Sequence, residues 1–185
     1  MIQNFKNHRT LYLAAGSTLV MFLYVKFVFV HYSRCFTVDV GSNSLGLSFY
    51  YTIDMVQNFF ESRTLEQLFC YKEFLQIWDI IFAFVYTLMY ASWIMCFFKN
   101  KPLFLIIPIF SMIADWVENY VELLMLDTYL NASTISEILV SVGSGINSFK
   151  WLFSILTYLI ISIGIITSLK RFLIKPKIDT HQNAL

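Results

Sequence analysis

The chain has 185 residues, of which 58% are hydrophobic, 18% aromatic and only 14% charged, and its net charge is +1. A soluble domain normally carries about 25% charged residues, so this composition indicates a membrane protein rather than a soluble one. A net charge near zero gives no electrostatic reason to expect a nucleic-acid partner, and little sequence remains outside the apolar stretches for a separate soluble domain.

Four apolar stretches are each long enough to cross a hydrocarbon core about 30 Å thick, which needs roughly 20 helical residues. They cover about residues 11–32, 74–98, 102–126 and 151–169. The first is too long for the apolar part of a typical signal peptide, and no small-residue cleavage site follows it, so we expect a retained helix. We therefore predict one all-α domain over residues 1–185: a polytopic membrane protein with an antiparallel bundle of four transmembrane helices.

The basic residues are concentrated on one side of these stretches. Eight of the thirteen lie there: Lys6, Arg9, Lys99, Lys101, Lys170, Arg171, Lys175 and Lys177. By the positive-inside rule, both termini and the turn between the second and third helices are cytoplasmic, and the membrane is the plasma or inner membrane. The loops 33–73 and 127–150 then face outward, and an even number of spans agrees with this topology.

The first outer loop contains an amphipathic segment at about residues 50–69. Its apolar residues follow a helical spacing, which indicates either one short amphipathic helix or two helices broken near Ser62–Thr64. They are Ile53, Val56, Phe60, Leu65 and Leu68. The segment either lies in the membrane interface and roofs a pocket or packs only for stability.

Two stretches rich in small residues flank these elements. Gly41, Ser42, Asn43, Ser44 and Gly46 predict a flexible connector before the amphipathic segment. Ser141, Gly143, Ser144 and Gly145 predict a second flexible or close-packed stretch before the fourth helix.

Two of the three cysteines, Cys35 and Cys70, share the outer loop. They can form a disulfide in an oxidising compartment, although free thiols are an equally open alternative. The third, Cys96, lies near the other end of the second helix, and no C-x-x-C motif occurs.

The third helix carries a polar stripe. Asp115, Glu118, Asn119 and Glu122 stand at spacings of zero, three, four and seven, which places them on one helical face. An ionised group in hydrocarbon costs at least about 2.5–3.5 kcal/mol, so we expect these side chains to face the interior and to have partners. For Glu122, which lies near the outer end of the helix, the alternative is that its carboxylate is solvated.

The topology brings other charges to the same half of the bilayer. Asp79 lies near the outer end of the second helix, Lys150 at the outer start of the fourth and Lys26 in the first. Asp115 and Glu118 lie one helical turn apart, so we expect both to be ionised only if a cation, either Lys150, Lys26 or a bound one, lies beside them; otherwise they share a proton. The cluster is either a structural ion-pair network or a site for a cation, a proton or an amine-bearing or lipid-like ligand.

The sequence favours no metal and leaves the reaction open. His8, His31 and His181 are too dispersed for a haem or di-iron site, and an oxygen-only site for a hard divalent cation at Asp79, Asp115, Glu118 and Asn119 is a weak alternative. No nucleophile motif occurs, so an enzyme would use carboxylate acid–base chemistry on a lipid-like substrate. A third interpretation is an accessory subunit, or a homo- or hetero-oligomer, whose charges pair with a partner's helices. The sequence leaves open whether a cofactor is bound.

Four runs of residues carry a resemblance. They are Y-x-x-D-x-V-x-x-F from Tyr51, L-Q-x-W-D-x-x-F from Leu75, A-D-W-V-E-N from Ala114 and F-K-W-L from Phe149. Together they resemble a family of small bacterial four-helix integral membrane proteins whose function is not established. The resemblance implies an amphipathic segment after the first helix, an aspartate heading the second, an A-D-x-x-E-N core in the third and a lysine–tryptophan pair opening the fourth.

In this chain those positions are Asp79, Asp115, Glu118, Asn119, Lys150 and Trp151. The chain departs from the family pattern by carrying Ser62-Arg63-Thr64 where a glycine-containing turn is expected. A looser likeness in layout is to the four-helix sterol-isomerase and sigma-two-receptor-like group, whose acidic pocket binds amines; the motifs do not match, so this is an analogy of fold alone.

Overall fold

A computed structural model describes residues 2–38 and 44–174 of the chain, with side chains from Arg9 onward. Within this described part the structure is all-helical: helices make up 88% of it and no strand occurs. Some of the expectations concern positions outside the described residues or side chains. These positions are Lys6, His8, the connector residues Gly41, Ser42 and Asn43, Lys175, Lys177 and His181.

Five longer helices, labelled α1 to α5, form this part of the chain. They are α1 (Arg9–Phe36), α2 (Ile53–Glu61), α3 (Leu65–Phe97), α4 (Pro102–Ala132) and α5 (Glu137–Leu173). Of these, α1, α3, α4 and α5 are long and apolar enough to cross a membrane. Two π turns interrupt them, at Val25–Phe29 in α1 and at Phe74–Asp79 in α3.

The second and fourth spanning helices begin earlier than predicted, at Leu65 rather than residue 74 and at Glu137 rather than residue 151. Both starts have caps: Thr64 and Gln67 form a reciprocal capping box, and the Ser136 side chain accepts from the backbone N–H of Leu139. The predicted outer loop 127–150 is therefore wrong. Most of it is helical. Its polar residues give the sequence the appearance of a loop, but their side chains contact other parts of the chain instead of solvent.

The amphipathic segment has the break of the two-helix alternative. Helix α2 ends at Glu61, and Arg63 occupies the turn before α3. The Arg63 guanidinium lies 3.5 Å from the centroid of the Phe59 ring and donates to the carbonyls of Phe59 (2.7 Å) and Phe36 (2.8 Å), which ties this turn to the end of α1. The predicted apolar face is wrong at Leu65, which is exposed, since that residue belongs to the first turn of α3.

The spanning helices pack unequally. Helices α4 and α5 have the most extensive contact, α3 packs against both of them, and α1 packs mainly on α3. Large apolar side chains are exposed along the outer faces of α1 and α5, among them Phe22, Phe27, Leu159 and Ile166. A continuous apolar exterior of this kind is what hydrocarbon, rather than water, would cover.

The largest apolar core lies at one end of the molecule, here called the cap end, where α2 and residues 44–52 meet α1, α3, α4 and α5. Its buried residues include Phe36, Leu45, Val56, Phe60, Tyr71, Met125 and Leu126. A disulfide between Cys35 and Cys70, with Cα atoms 6.2 Å apart, joins α1 to α3 at this end. The opposite end, called the turn end, carries the α3–α4 turn at residues 98–101.

Candidate functional site

Lys150 is the centre of the buried polar cluster. Its ammonium Nζ lies 3.1 Å from Asp115 Oδ1 and contacts Glu118 Oε2 directly. Because α5 begins at Glu137, Lys150 lies about 20 Å along the helix, at 1.5 Å per residue, rather than at its start as predicted. This shift brings the ammonium level with the polar stripe of α4.

Gly46 covers this ion pair from the loop between α1 and α2. Its carbonyl accepts from Lys150 Nζ at 3.3 Å and from Trp151 Nε1 at 3.1 Å. A Cβ atom at this position would lie only 3.1 Å from Lys150 Nζ and 3.2 Å from Glu118 Oε1, so a larger residue would crowd the pair. The sequence predicts a flexible connector here; the structure shows close packing, which only the three-dimensional contact with α5 reveals.

Polar side chains of α5 hold the following residues of the loop. The contacts are Asn147 Nδ2 to Ser48 O (2.6 Å), Ser148 Oγ to Phe49 O (3.0 Å) and Tyr51 N to Ser144 Oγ (3.0 Å). Non-helical backbone away from water must find hydrogen-bond partners, and here one face of α5 supplies them. The stretch of residues 141–145, for which the sequence predicts either flexibility or close packing, is thus helical, and its Gly143 is buried.

Glu122 lies one turn further along α4, towards the cap end. It is 1% exposed, so the alternative that it is solvated is wrong, and it accepts a hydrogen bond directly from the Tyr71 hydroxyl. The Tyr51 hydroxyl is buried nearby, without a hydrogen-bond partner among the described residues. Burial, with Glu122 and Glu118 close by, raises the pKa of Tyr51 well above its ordinary value, so this phenol keeps its proton.

A cavity of about 190 Å³ opens beside the Lys150 ion pairs. Three of the predicted site residues line it, namely Asp79, Asp115 and Lys150, whereas Glu118, Asn119 and Glu122 do not. Its remaining wall is largely aromatic: Phe29, Phe82, Tyr86, Tyr90, Trp151 and Tyr158. The Tyr86 hydroxyl donates to Asp115 Oδ2 at 3.2 Å, and the hydroxyls of Tyr90 and Tyr158 are 2.6 Å apart.

Asp79 differs from the other acids of the cluster. Within the described part of the chain it forms no ion pair, while its carboxylate lines the cavity. It is the last residue of the π turn Phe74–Asp79. A π turn adds a residue to one helical turn and redirects the side chains that follow, and such turns are frequent at functional sites.

The cluster contains more acids than cations. Asp79, Asp115, Glu118 and Glu122 face a single ammonium, that of Lys150. Lys26, the other predicted cation, is exposed on α1 and lies over the Phe27 ring at 5.3 Å. Joint ionisation of four acids around one lysine is unfavourable in a low dielectric, so protons or a cationic ligand must offset the excess.

No three His, Cys, Asp or Glu side chains among the described residues are arranged to hold a metal ion. The weak alternative of a divalent-cation site at Asp79, Asp115, Glu118 and Asn119 has Lys150 Nζ between two of its proposed ligands.

No family model, curated protein or solved structure matches the chain in comparisons with known proteins. The resemblance to small bacterial four-helix membrane proteins therefore stays a prediction. The case for function depends on the geometry of the cluster and the cavity.

Proposed function

We propose that the chain is a multi-pass integral membrane protein whose cavity binds the cationic group of a small amphipathic ligand, such as an amine-bearing or lipid-like molecule. The observation that carries this proposal is the Asp79 carboxylate, which lines an aromatic cavity and has no ion-pair partner among the described residues. The fit is chemical: a carboxylate neutralises an amine, and tyrosine and tryptophan rings attract a cation through their faces.

Membrane insertion, as a bundle of four antiparallel helices, is supported by length, apolarity and the exposed apolar faces of α1 and α5. Charge and redox chemistry support one orientation. The turn end carries five basic residues, so the positive-inside rule predicts that it is cytoplasmic. They are Arg9, Lys99, Lys101, Lys170 and Arg171. The Cys35–Cys70 disulfide is at the cap end. Because disulfides form in an oxidising compartment, we infer that the cap end is on the non-cytoplasmic side of a plasma or inner membrane.

The ligand would enter from the bilayer. Helix α1 packs mainly on α3, while Met21 and Phe29 of α1 and Trp151 and Tyr158 of α5 all line the cavity. The cavity is therefore bounded in part by two helices that are not closely packed together. An amphipathic molecule can pass its charged group between them and keep its apolar part in hydrocarbon.

Octylamine, octanol and octanoate test the proposal, since they share one chain and differ in head group. The purified full-length protein in a mild detergent is heated with each compound, and its unfolding temperature is measured. We expect octylamine to raise the unfolding temperature, octanol to raise it less and octanoate to have no stabilising effect.

Asp79→Asn should remove the advantage of octylamine over octanol. Asp127→Asn is the matched control, because Asp127 is a half-exposed acid that pairs with Lys72 at 2.6 Å and lies outside the cavity. Equal stabilisation by octylamine and octanol, or an undiminished octylamine effect in Asp79→Asn, would contradict the proposal.

A membrane-embedded enzyme that uses carboxylate acid–base chemistry is the second candidate. It is favoured by the contrast between the two acids of the cavity: Asp115 has an ammonium and a phenol as partners, while Asp79 has neither. Two carboxyls in different surroundings are what separate acid and base roles require. Lipid extracts of cells that contain the native protein or Asp79→Asn should then differ in one lipid species and its product.

An accessory role in a homo- or hetero-oligomer is the third. A groove between α4 and α5, lined by small residues such as Ala114, Ser141 and Gly145, offers a close approach for another helix. Native mass spectrometry distinguishes the classes: a retained small molecule supports binding, whereas a stoichiometric second chain supports the accessory role.

A further inference from the structure

A second pocket, of about 670 Å³, lies at the turn end, on the opposite side of the molecule from the cap. It is formed by the α3–α4 turn, the last turns of α5 and the beginning of α1. Three basic residues line it, Lys99, Lys101 and Arg171, together with the polar residues Asn100 and Ser168.

The charge of this pocket is one-sided. In the part of the chain that the structure describes, carboxylates occur from Asp54 to Asp79 and from Asp115 to Glu137, so none lines the pocket. Lys101 and Arg171 are exposed, and their positive charges are concentrated around one concave surface. Such a surface attracts an anion, and guanidinium and ammonium groups that line one pocket both suit phosphate.

The lining of the pocket is also partly apolar. Leu11, Phe97 and Phe98 contribute to it. In the proposed topology, this is the level at which the helices leave the hydrocarbon and reach the head groups of the cytoplasmic leaflet. A phosphate attached to a glycerol and acyl chains can contact both the basic and the apolar lining residues, whereas free phosphate can use only the basic ones.

We propose that this pocket binds the phosphate of an anionic phospholipid from the cytoplasmic leaflet, with Lys101 and Arg171 as its main contacts. The inference rests on the membrane insertion proposed above, but not on the ligand of the acidic cavity. It predicts a defined lipid site rather than a diffuse attraction between a basic end and an anionic membrane.

The test uses the full chain in detergent micelles, with phosphatidylglycerol added and bound lipid counted by native mass spectrometry. Each of Lys101→Gln and Arg171→Gln should weaken phosphatidylglycerol binding roughly tenfold, as expected when one charge-assisted contact is lost. Lys170→Gln is the matched control, since it removes the same charge from the neighbouring residue, which does not line the pocket. The affinity of Lys170→Gln for phosphatidylglycerol should change less than about twofold, which is small compared with the roughly tenfold loss expected when one charge-assisted contact is removed.

Equal losses for Lys170→Gln and Arg171→Gln would overturn the proposal in favour of diffuse electrostatics. So would equal binding of phosphatidylcholine and phosphatidylglycerol. Competition with inorganic phosphate distinguishes a site for a lipid phosphate from a site for free phosphate. If phosphate alone displaces the lipid at comparable concentration, the site recognises free phosphate and the lipid assignment is wrong.

The two proposals fail independently. Arg171→Gln should keep the octylamine response of the acidic cavity, which also shows that this variant is folded. Asp79→Asn should lose that response and keep phosphatidylglycerol binding. A native protein that responds to octylamine but binds phosphatidylcholine as well as phosphatidylglycerol would reject the lipid site alone.

Discussion

At the scale of single residues, Lys150 has the largest predicted effect on stability. It is the one ammonium among the four described carboxyls of the cluster, and its contacts with Asp115 and Glu118 are buried. Lys150→Met should lower the free energy of unfolding by about 3–5 kcal/mol, because it leaves uncompensated charges in a low dielectric. Unfolding of the purified variant in mixed micelles measures this loss.

Lys72→Met is the control for that experiment. Lys72 pairs with Asp127, but both side chains are partly exposed, so the expected loss is only about 0–1 kcal/mol. Adding Glu118→Gln to Lys150→Met should recover part of the stability, since it removes one of the stranded charges. Equal losses for the two lysine variants would show that Lys150 is solvated.

Two glycines of α5 give a second prediction. A Cβ at Gly143 would collide with the Tyr51 hydroxyl, whereas a Cβ at Gly145 meets nothing within 4 Å. Gly143→Ala should destabilise the protein by about 1–3 kcal/mol through overpacking. Gly145→Ala should be neutral or stabilise it by up to about 1 kcal/mol, because alanine favours the helix.

Thermal unfolding of the two variants in the same detergent provides the comparison. Tyr51→Phe removes the colliding oxygen and should restore part of the stability of Gly143→Ala. If both alanine variants behaved alike, the loop of residues 44–52 would not be packed on α5 as described.

At the scale of the elements, the Cys35–Cys70 disulfide fixes the end of α1 to the start of α3. The two cysteines are 35 residues apart in sequence, so the crosslink restricts a long loop in the unfolded chain. Cys35→Ser should cost about 2–4 kcal/mol of stability, and a reductant should lower the unfolding temperature of the native protein but not of this variant.

Cys96→Ser provides the comparison, because Cys96 is a free thiol near the other end of α3. It should stay within about 0.5 kcal/mol of the native protein. A native protein that is indifferent to reductant, and as stable as Cys35→Ser, would show that the two thiols are not bridged.

At the scale of the whole molecule, the two ends should face different compartments. Asn131 is exposed near the cap end of α4, and Asn100 is exposed in the α3–α4 turn. With Cys96 replaced by serine, Asn131→Cys should react with a membrane-impermeant maleimide in intact cells, and Asn100→Cys only after permeabilisation. The opposite result would reverse the proposed orientation, and labelling of both in intact cells would exclude a spanning arrangement.

The sequence by itself determined the features that depend on local periodicity and composition. Apolar stretches of about 20 residues gave the four long helices, since such stretches must satisfy their backbone groups internally. The spacing of Asp115, Glu118, Asn119 and Glu122 gave one shared face, and all four are buried. The break near Ser62–Thr64 was visible because capping residues act within one helical turn.

Only the tertiary structure decided which distant groups meet. It selected Lys150 rather than Lys26 as the cation, left Asp79 at the cavity, placed Glu122 against Tyr71 and set Gly46 over the ion pair. It also extended α5 back to Glu137, because the polar side chains of its first turns bind the backbone of residues 48–51. Those partners lie some hundred positions away in the chain, so no local pattern in the sequence contains them.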